Sequence, residues 1–226
     1  MGNAKEAWTK ATRAHEMSYP SEYIIRIFKG SYPKLDLDKK SFKGKKICDV
    51  SCGDGRDLRF LKRCGFDVYG TEITEGMVEY IRENIDDKQI APHIKIGTND
   101  SLPFTDGFFD YLLSWNASYY LGAQKDFSLH VNEFARVMKK AGTLVLSIPK
   151  KTSFIYKGSE KWKPGYQIIK NDPFKIRNGE VLRMFKDEKE IEKAFAPHFK
   201  DFVFGSIQDD CFGLDYHWHL LVCKKK

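Results

Sequence analysis

The chain has 226 residues, 42% hydrophobic and 14% aromatic, with a mean hydropathy of −0.50. This is the profile of one globular domain spanning 1–226, and it excludes two full cores or long disorder. Its 38 Lys and Arg against 31 Asp and Glu leave a net charge of +7, which attracts anions. The basic residues are scattered, however, with no aromatic-interleaved basic run, so charge alone does not mark a nucleic-acid binder.

No run approaches the ~18 apolar residues of a membrane helix. Lys5, Glu6, Lys10 and Arg13 interrupt the N-terminus before an apolar stretch develops, so neither a signal peptide nor membrane association is expected. The 5 cysteines contain no C-x-x-C pair, which predicts reduced thiols in a cytoplasmic protein and no metal site. Asn116-Ala117-Ser118 is then a chance match to a glycosylation signal.

Residues 1–40 carry Trp8, Tyr19, Tyr23, Ile24, Ile25, Ile27 and Phe28, the pattern of a helical cap, with Ser21 placed as an N-cap. An apolar strand over 47–51 enters a glycine turn. Leu58 and Leu61 follow at helical spacing, and Gly65 stops that helix. A strand over 66–70 and a helix with Met77, Val78, Tyr80 and Ile81 on its apolar face complete a β-α-β-α unit. Strands over 93–96, 109–115 and 143–148 continue the alternation, with a helix over 127–139 capped at Ala141-Gly142. Buried strands alternating with helices predict a mostly parallel sheet covered on both faces. After Pro149 the periodicity fails, and the polar stretch 150–186 is expected to be a lid or substrate segment. A helix over 188–195 and strands over 202–204 and 216–222 end the chain.

The turn Asp49-Val50-Ser51-Cys52-Gly53-Asp54-Gly55-Arg56 joins the first strand to its helix, where backbone N–H groups approach a ligand. Glu72 ends the next strand, 17 residues after Gly55, at the place from which a carboxylate accepts hydrogen bonds from a ribose diol. A nucleoside cofactor is implied. A dinucleotide fingerprint would need a third glycine where Leu58 stands, and its pyrophosphate would lie beside Asp54 and Asp57. An ammonium and a sulfonium suit those carboxylates better.

This turn, then Glu72, then Ser101-Leu102-Pro103-Phe104 with Phe108-Phe109-Asp110, then Arg136-Val137-Met138-Lys139-Lys140-Ala141-Gly142, resembles the ordered motifs of class I S-adenosylmethionine-dependent methyltransferases over about residues 45 to 150. The resemblance implies a seven-strand Rossmann-like sheet with the last two strands as an antiparallel hairpin, and S-adenosylmethionine as cofactor. By position it implies that Asp49, Ser51, Gly53, Asp54, Gly55 and Arg56 wrap the methionine part, Glu72 holds the ribose and Ile73 lies against the adenine. Asn99, Asp100, Ser101 and Leu102 would edge the adenine, with Asp100 substituting for the acidic residue that many members carry where Thr98 stands. Trp115 and Asn116 would sit near the sulfonium and the acceptor.

Methyl transfer is an in-line displacement that needs alignment and exclusion of water, and a base only where the acceptor is protonated. Tyr119 and Tyr120, just after the fourth strand, are the expected acceptor-facing groups, with Tyr119 a candidate catalytic residue. His217 is a second candidate, as a base. It shares a strand face with His219 and leaves Trp218 on the other, and no carboxylate or Cys motif nearby makes the pair a metal site. His15 is ambiguous. From the cap, Tyr19, Tyr23 and Arg26 are candidate substrate residues. Lys161, Lys163, Lys170, Lys175, Arg177 and Arg183 of the lid favour an anionic acceptor wherever they point inward.

The expected function is therefore methyl transfer to N or O of a small polar acceptor. Loose similarity to methyltransferases of bacterial surface-polysaccharide gene sets adds sugars, amino alcohols and phosphorus-bearing precursors as acceptor classes. An RNA-modifying methyltransferase, an NAD-dependent oxidoreductase and a non-catalytic cofactor-binding scaffold remain alternatives, and monomer and homodimer are both open.

Overall fold

The computed structural model describes residues 6, 9–13, 19–35, 37–121 and 126–226. Trp8 and His15 lie outside the described residues. Residues 9–13 are helical, and α1 (Glu22–Lys29) follows with Ile24, Ile27 and Phe28 buried. Ser21 stands at the N-cap position, but its side chain does not cap; its backbone N–H instead donates to Asp57 Oδ1 at 3.1 Å. Phe28 meets Phe42 and Phe66 edge-on, both at 5.8 Å between ring centroids, which fastens the cap helix to the sheet.

The alternating unit forms as its hydrophobic periodicity predicts: β1 (Lys46–Val50), α2 (Arg56–Arg63), β2 (Asp67–Glu72), α3 (Glu75–Asn84), β3 (Ile94–Ile96), β4 (Phe109–Ser114), α4 (Phe127–Val137) and β5 (Met138–Pro149). Gly65 adopts φ 103° and its N–H closes on the Lys62 carbonyl, ending α2. Thr74 caps α3 by accepting from Met77 N–H at 3.2 Å, and Asp126 caps α4 by accepting from Ser128 N–H at 2.9 Å.

Helix α4 stops at Val137, and Met138 already pairs with Phe109 in the sheet. Ala141-Gly142 therefore lies within β5 and not at a helix cap. Ala141 takes φ 60° at an irregularity in the ladder, and a side chain on Gly142 would collide with the Lys139 carbonyl at 2.8 Å.

The region 150–186 is not structureless. It carries β6 (Glu160–Lys163), β7 (Tyr166–Ile168) and β8 (Val181–Arg183), which form a separate antiparallel sheet. Their 3 or 4 residues each are too short to show alternation. The chain ends with α5 (Glu188–Phe195), β9 (Phe199–Cys211) and β10 (Leu214–Lys225), the last two much longer than the sequence pattern suggests.

The main sheet has 7 strands in the order β3-β2-β1-β4-β5-β10-β9, with β1 to β5 parallel and β10 antiparallel to both neighbours. One core packs α1, α2 and α3 on one face of the sheet; a second packs α4 and α5 on the other. Strand order reverses between β1 and β4, and the crevice at such a reversal, outside the carboxyl ends of the strands, is where open α/β sheets bind ligands. No helix among the described residues is long and apolar enough to cross a membrane.

Candidate active site

The turn after β1 is shaped by backbone conformation. Ser51, Gly53 and Gly55 all take positive φ (60°, 61° and 76°), and the bent chain is held by its own N–H groups, that of Ser51 donating to Thr71 Oγ1 and that of Gly55 to the Cys52 carbonyl. A side chain on Gly53 would meet no atom within 4 Å, so that glycine borders open space. A side chain on Gly55 would press Ile81 at 3.1 Å, so this second glycine serves the approach of α3. Asp54 accepts from Arg56 N–H at 3.1 Å at the start of α2.

Four carboxylates converge here. Glu72, at the end of β2, is 7% exposed and accepts from Gly53 N–H at 2.7 Å and from Ile73 N–H at 3.0 Å. Burial pushes its pKa up to about 7 against those two hydrogen bonds. Asp49 is 2% exposed, and burial first, then the charges of Asp57 and Glu72, hold its carboxyl well above the usual range. Asp57 is raised to about 6 by burial, with Arg56 and the Ser21 N–H pulling the other way. Buried carboxylates gathered around one turn favour a positively charged ligand.

The residues expected at the adenine edge follow β3. Thr98 and Ser101 bridge across a tight turn, and Thr98 Oγ donates to Asp100 Oδ1 at 2.6 Å. The Asn99 side chain is buried. Its Nδ2 donates to the Ala117 carbonyl at 2.9 Å and the Tyr120 carbonyl at 3.4 Å, while Oδ1 has no donor beside it. An orphaned buried acceptor of this kind fits an exocyclic amine such as that of adenine. Leu102 is buried and its N–H donates to Glu133 Oε1 at 2.6 Å, whereas Ser101 is exposed. With the open Gly53 and the carboxylate set, these features fit S-adenosylmethionine.

After β4, Trp115 is nearly buried and Asn116 adopts φ 57°, held by Ser147: the Asn116 N–H donates to Ser147 Oγ at 2.7 Å, and that hydroxyl donates to Asn116 Oδ1 at 2.9 Å. Tyr119 and Tyr120 are stacked, with centroids 4.8 Å apart. Strand β8 runs against them, with Arg183 N–H donating to the Tyr119 carbonyl and Tyr120 bridged to Leu182, so the lid sheet is tied to this segment. Burial pushes the Tyr120 phenol up to about 12 and the Tyr119 phenol well above its ordinary value, so both stay protonated at neutral pH.

Of the lid's cations, Arg177 is one that points inward to these tyrosines. Arg177, only 11% exposed at its side chain, donates through Nε to Tyr120 Oη at 2.7 Å and through Nη1 to the fully buried Asp172 at 2.8 Å. Its guanidinium lies 5.8 Å from the ring centres of both Phe154 and Phe174. Tyr216 stacks on Trp218 at 4.6 Å and feels the charges of both Arg177 and Arg56, which connects the lid cluster to the glycine turn. Arg177 lies between two turn motifs, Asn171-Asp172-Pro173 and Asn178-Gly179, that reveal a loop but not the direction of a side chain.

The other candidates are not gathered here. Tyr19 is 80% exposed, and Arg26 reaches back along α1 to Glu22 at 2.5 Å. Tyr23 donates to Asp209 at 2.7 Å, joining the cap to the β9–β10 hairpin. Alternation along β10 places His217 on the face opposite Tyr216 and Trp218, where it contacts Thr152 Oγ at 2.9 Å. Among the described residues no group of 3 or more His, Cys, Asp or Glu is disposed to hold a metal.

Residues 48–146 match the family model of a methyltransferase domain. No curated protein sequence matches the chain. Solved structures are similar in fold at low identity. A protein bound to the Haloferax volcanii Trm112 methyltransferase activator has 18% identity over 97% of this chain and 94% of its own, with a TM-score of 0.68. A Pyrococcus horikoshii protein has 19% identity over 96% and 99%, with a TM-score of 0.64. An S-adenosylmethionine-dependent methyltransferase from Methanosarcina mazei has 18% identity over 87% and 98%, with a TM-score of 0.63. Residues 48–146, which hold the glycine turn and its carboxylates, thus match a methyltransferase domain, and the strand order of the whole sheet is the fold shared with these structures.

Proposed function

We propose that the protein transfers a methyl group to N or O of a small polar acceptor held beneath the lid by Asn116, Tyr119 and Tyr120. The cofactor supplies a methyl carbon already activated by a sulfonium. On this reading Asp49, Ser51, Gly53, Asp54, Gly55 and Arg56 line its amino-acid tail, and Glu72 accepts from the ribose with Ile73 against the base. Asn99, Asp100, Ser101 and Leu102 edge the adenine, and Trp115 closes the crevice near the sulfur.

The observation that carries this is the concentration of buried carboxylates around an open glycine turn, 2.7 Å separating Glu72 from Gly53 N. A dinucleotide's pyrophosphate would meet repulsion there, and a cationic cofactor would meet attraction. The lid contributes alignment and exclusion of water, and the protonated tyrosines orient the acceptor as hydrogen-bond donors.

The test is a panel of sugars, amino alcohols, phosphorus-bearing compounds and short RNAs, each incubated with enzyme and cofactor while S-adenosylhomocysteine release is measured. Turnover on a small molecule supports the proposal. Turnover confined to RNA, with binding that weakens steeply in salt, moves the assignment to an RNA-modifying enzyme. Tight cofactor binding without turnover on any acceptor supports a scaffold.

A further inference from the structure

We infer that the outer face of α2 carries a second binding site, for a small phosphate monoester, built from Arg56, Arg59 and Arg63. The residues of α2 fall into two stripes. Leu58 and Leu61 are buried, while Arg56, Arg59, Phe60 and Arg63 recur at the three- and four-residue spacing that aligns side chains on one side of a helix. That side is not simply solvated. It forms one wall of a cavity of about 330 Å3, bordered also by Tyr19 and Pro20 ahead of the cap helix and by Asn84 and Asp86 at the end of α3. This volume is at the small end of ligand sites, which run from about 300 to 1,000 Å3.

Three guanidiniums within two turns of helix repel one another and call for an acceptor between them. The chain itself satisfies few of their donors. Arg59 gives one N–H, from Nη2, to the Asn84 carbonyl at 2.9 Å, and its Nε–H is buried with no partner. Arg56 Nε comes only to 3.9 Å from Asp54, a distance of charge attraction and not of a hydrogen bond. Arg63 is exposed, and among the described residues no ion pair holds it. Asp86, the one carboxylate at the cavity, is likewise exposed and forms no ion pair with any of the three. A buried donor without an acceptor, beside two cations with little to bind, marks a place for an anion.

Charge and shape select which anion. Three guanidiniums less one carboxylate leave two positive charges at the cavity, the complement of a phosphate monoester's dianion. A carboxylate carries half that charge, and its two oxygens fill a single guanidinium fork; the three oxygens of a phosphoryl group receive donors from several. The uncharged part of the wall is Phe60 with Tyr19 and Pro20, so the organic group of an ester has rings to lie against. Tyr19, which the sequence puts among the candidate substrate residues, thus borders this cavity. Walls from three elements suit a discrete ester better than a continuous polymer backbone. The site goes beyond the methyltransferase reading and shares with it only Arg56, so Arg63 and Asp86 carry the test.

The full chain is titrated by calorimetry, alone and with excess S-adenosylhomocysteine, using phenyl phosphate, inorganic phosphate, benzoate, phenol and a short RNA. Phenyl phosphate should bind in both conditions, inorganic phosphate more weakly, and benzoate and phenol not measurably. Arg63→Gln should weaken phenyl phosphate roughly tenfold. Asp86→Asn should tighten it, a gain that misfolding cannot produce. Affinity for S-adenosylhomocysteine should be the same in both variants as in the unaltered protein.

Phenyl phosphate that does not bind, that is displaced by S-adenosylhomocysteine, or that binds equally to the unaltered protein, Arg63→Gln and Asp86→Asn would overturn the inference. Benzoate bound as tightly as phenyl phosphate would overturn the choice of a dianion. RNA bound more tightly than phenyl phosphate, and through Arg63, would give this face to a nucleic-acid backbone and overturn the assignment to a small ester. Failure to bind S-adenosylhomocysteine would count against the methyltransferase reading alone, since phenyl phosphate titrated into the chain by itself still decides this site.

Discussion

Glu72 shows how much one side chain can decide. Its carboxylate is buried, yet it receives only two backbone N–H groups, and a pKa of about 7 against its ordinary 4.5 means that the free protein holds it partly protonated at neutral pH. A ribose diol and the positive charges of the cofactor both favour the ionised form, so cofactor affinity should rise as pH goes from 6 to 8 and flatten in Glu72→Gln. Stability of the free protein should run the other way. The folded-state pKa is raised, so the contribution of Glu72 is fully present below its unfolded value of 4.5 and is lost as pH rises through about 7. Calorimetric titrations at several pH values, beside melting curves of the free protein, check the opposite signs. Glu72→Ala should cost about 1.5 to 3 kcal/mol of cofactor binding, the range for a hydrogen-bonded charged group; unchanged affinity would remove Glu72 from the ribose position.

At the scale of elements, alternation of strand and helix was legible wherever burial on one face imposes a period, as in Leu58 and Leu61 of α2 or Met77, Val78 and Ile81 of α3. It failed where no period exists. Strands β6 to β8 are held by lid contacts rather than by an apolar face, and the boundary at Val137 is set by Met138 pairing with Phe109, a contact between residues far apart in sequence. Arg136 illustrates a second long-range device. It donates to the carbonyls of Leu102 at 3.0 Å and Phe104 at 2.8 Å and pairs with Glu133, which in turn accepts from Leu102 N–H. The end of α4 thus clamps the loop that follows the Thr98–Ser101 turn. The accompanying pair with the largely exposed Asp106 adds little. Arg136→Ala should therefore destabilise the protein by about 1 to 3 kcal/mol through the carbonyls and the carboxylate it abandons, measured by urea unfolding, and should also weaken cofactor binding. A loss of stability with cofactor affinity untouched would show that the clamp does not reach the site.

For the whole molecule, the division of labour follows from topology. The turn after β1, the carboxylate closing β2 and the tight turn after β3 were legible because each follows its strand directly. Tyr119 and Tyr120 were legible after β4 and Arg177 as one of the lid's cations, but not the contact between Arg177 and Tyr120, because the pairing of β8 with residues 119–121 is encoded by no nearby pattern.

The cofactor half also permits a test on the intact protein without any acceptor. A ligand that binds only the folded state at a concentration 100 times its Kd stabilises it by about 2.7 kcal/mol, and for a chain of this length each kcal/mol moves Tm by about 2 to 4 °C. S-adenosylmethionine should accordingly raise the melting temperature by roughly 5 to 10 °C. NAD shares the nucleoside but would bring a pyrophosphate against Asp49, Asp54, Asp57 and Glu72, and with Leu58 at the position of a third glycine it lacks the close approach it needs. It should leave Tm unchanged at the same concentration. Equal shifts from the two compounds would mean that the turn reads only adenosine, and the carboxylates would then need another explanation than the charge of the sulfonium cofactor.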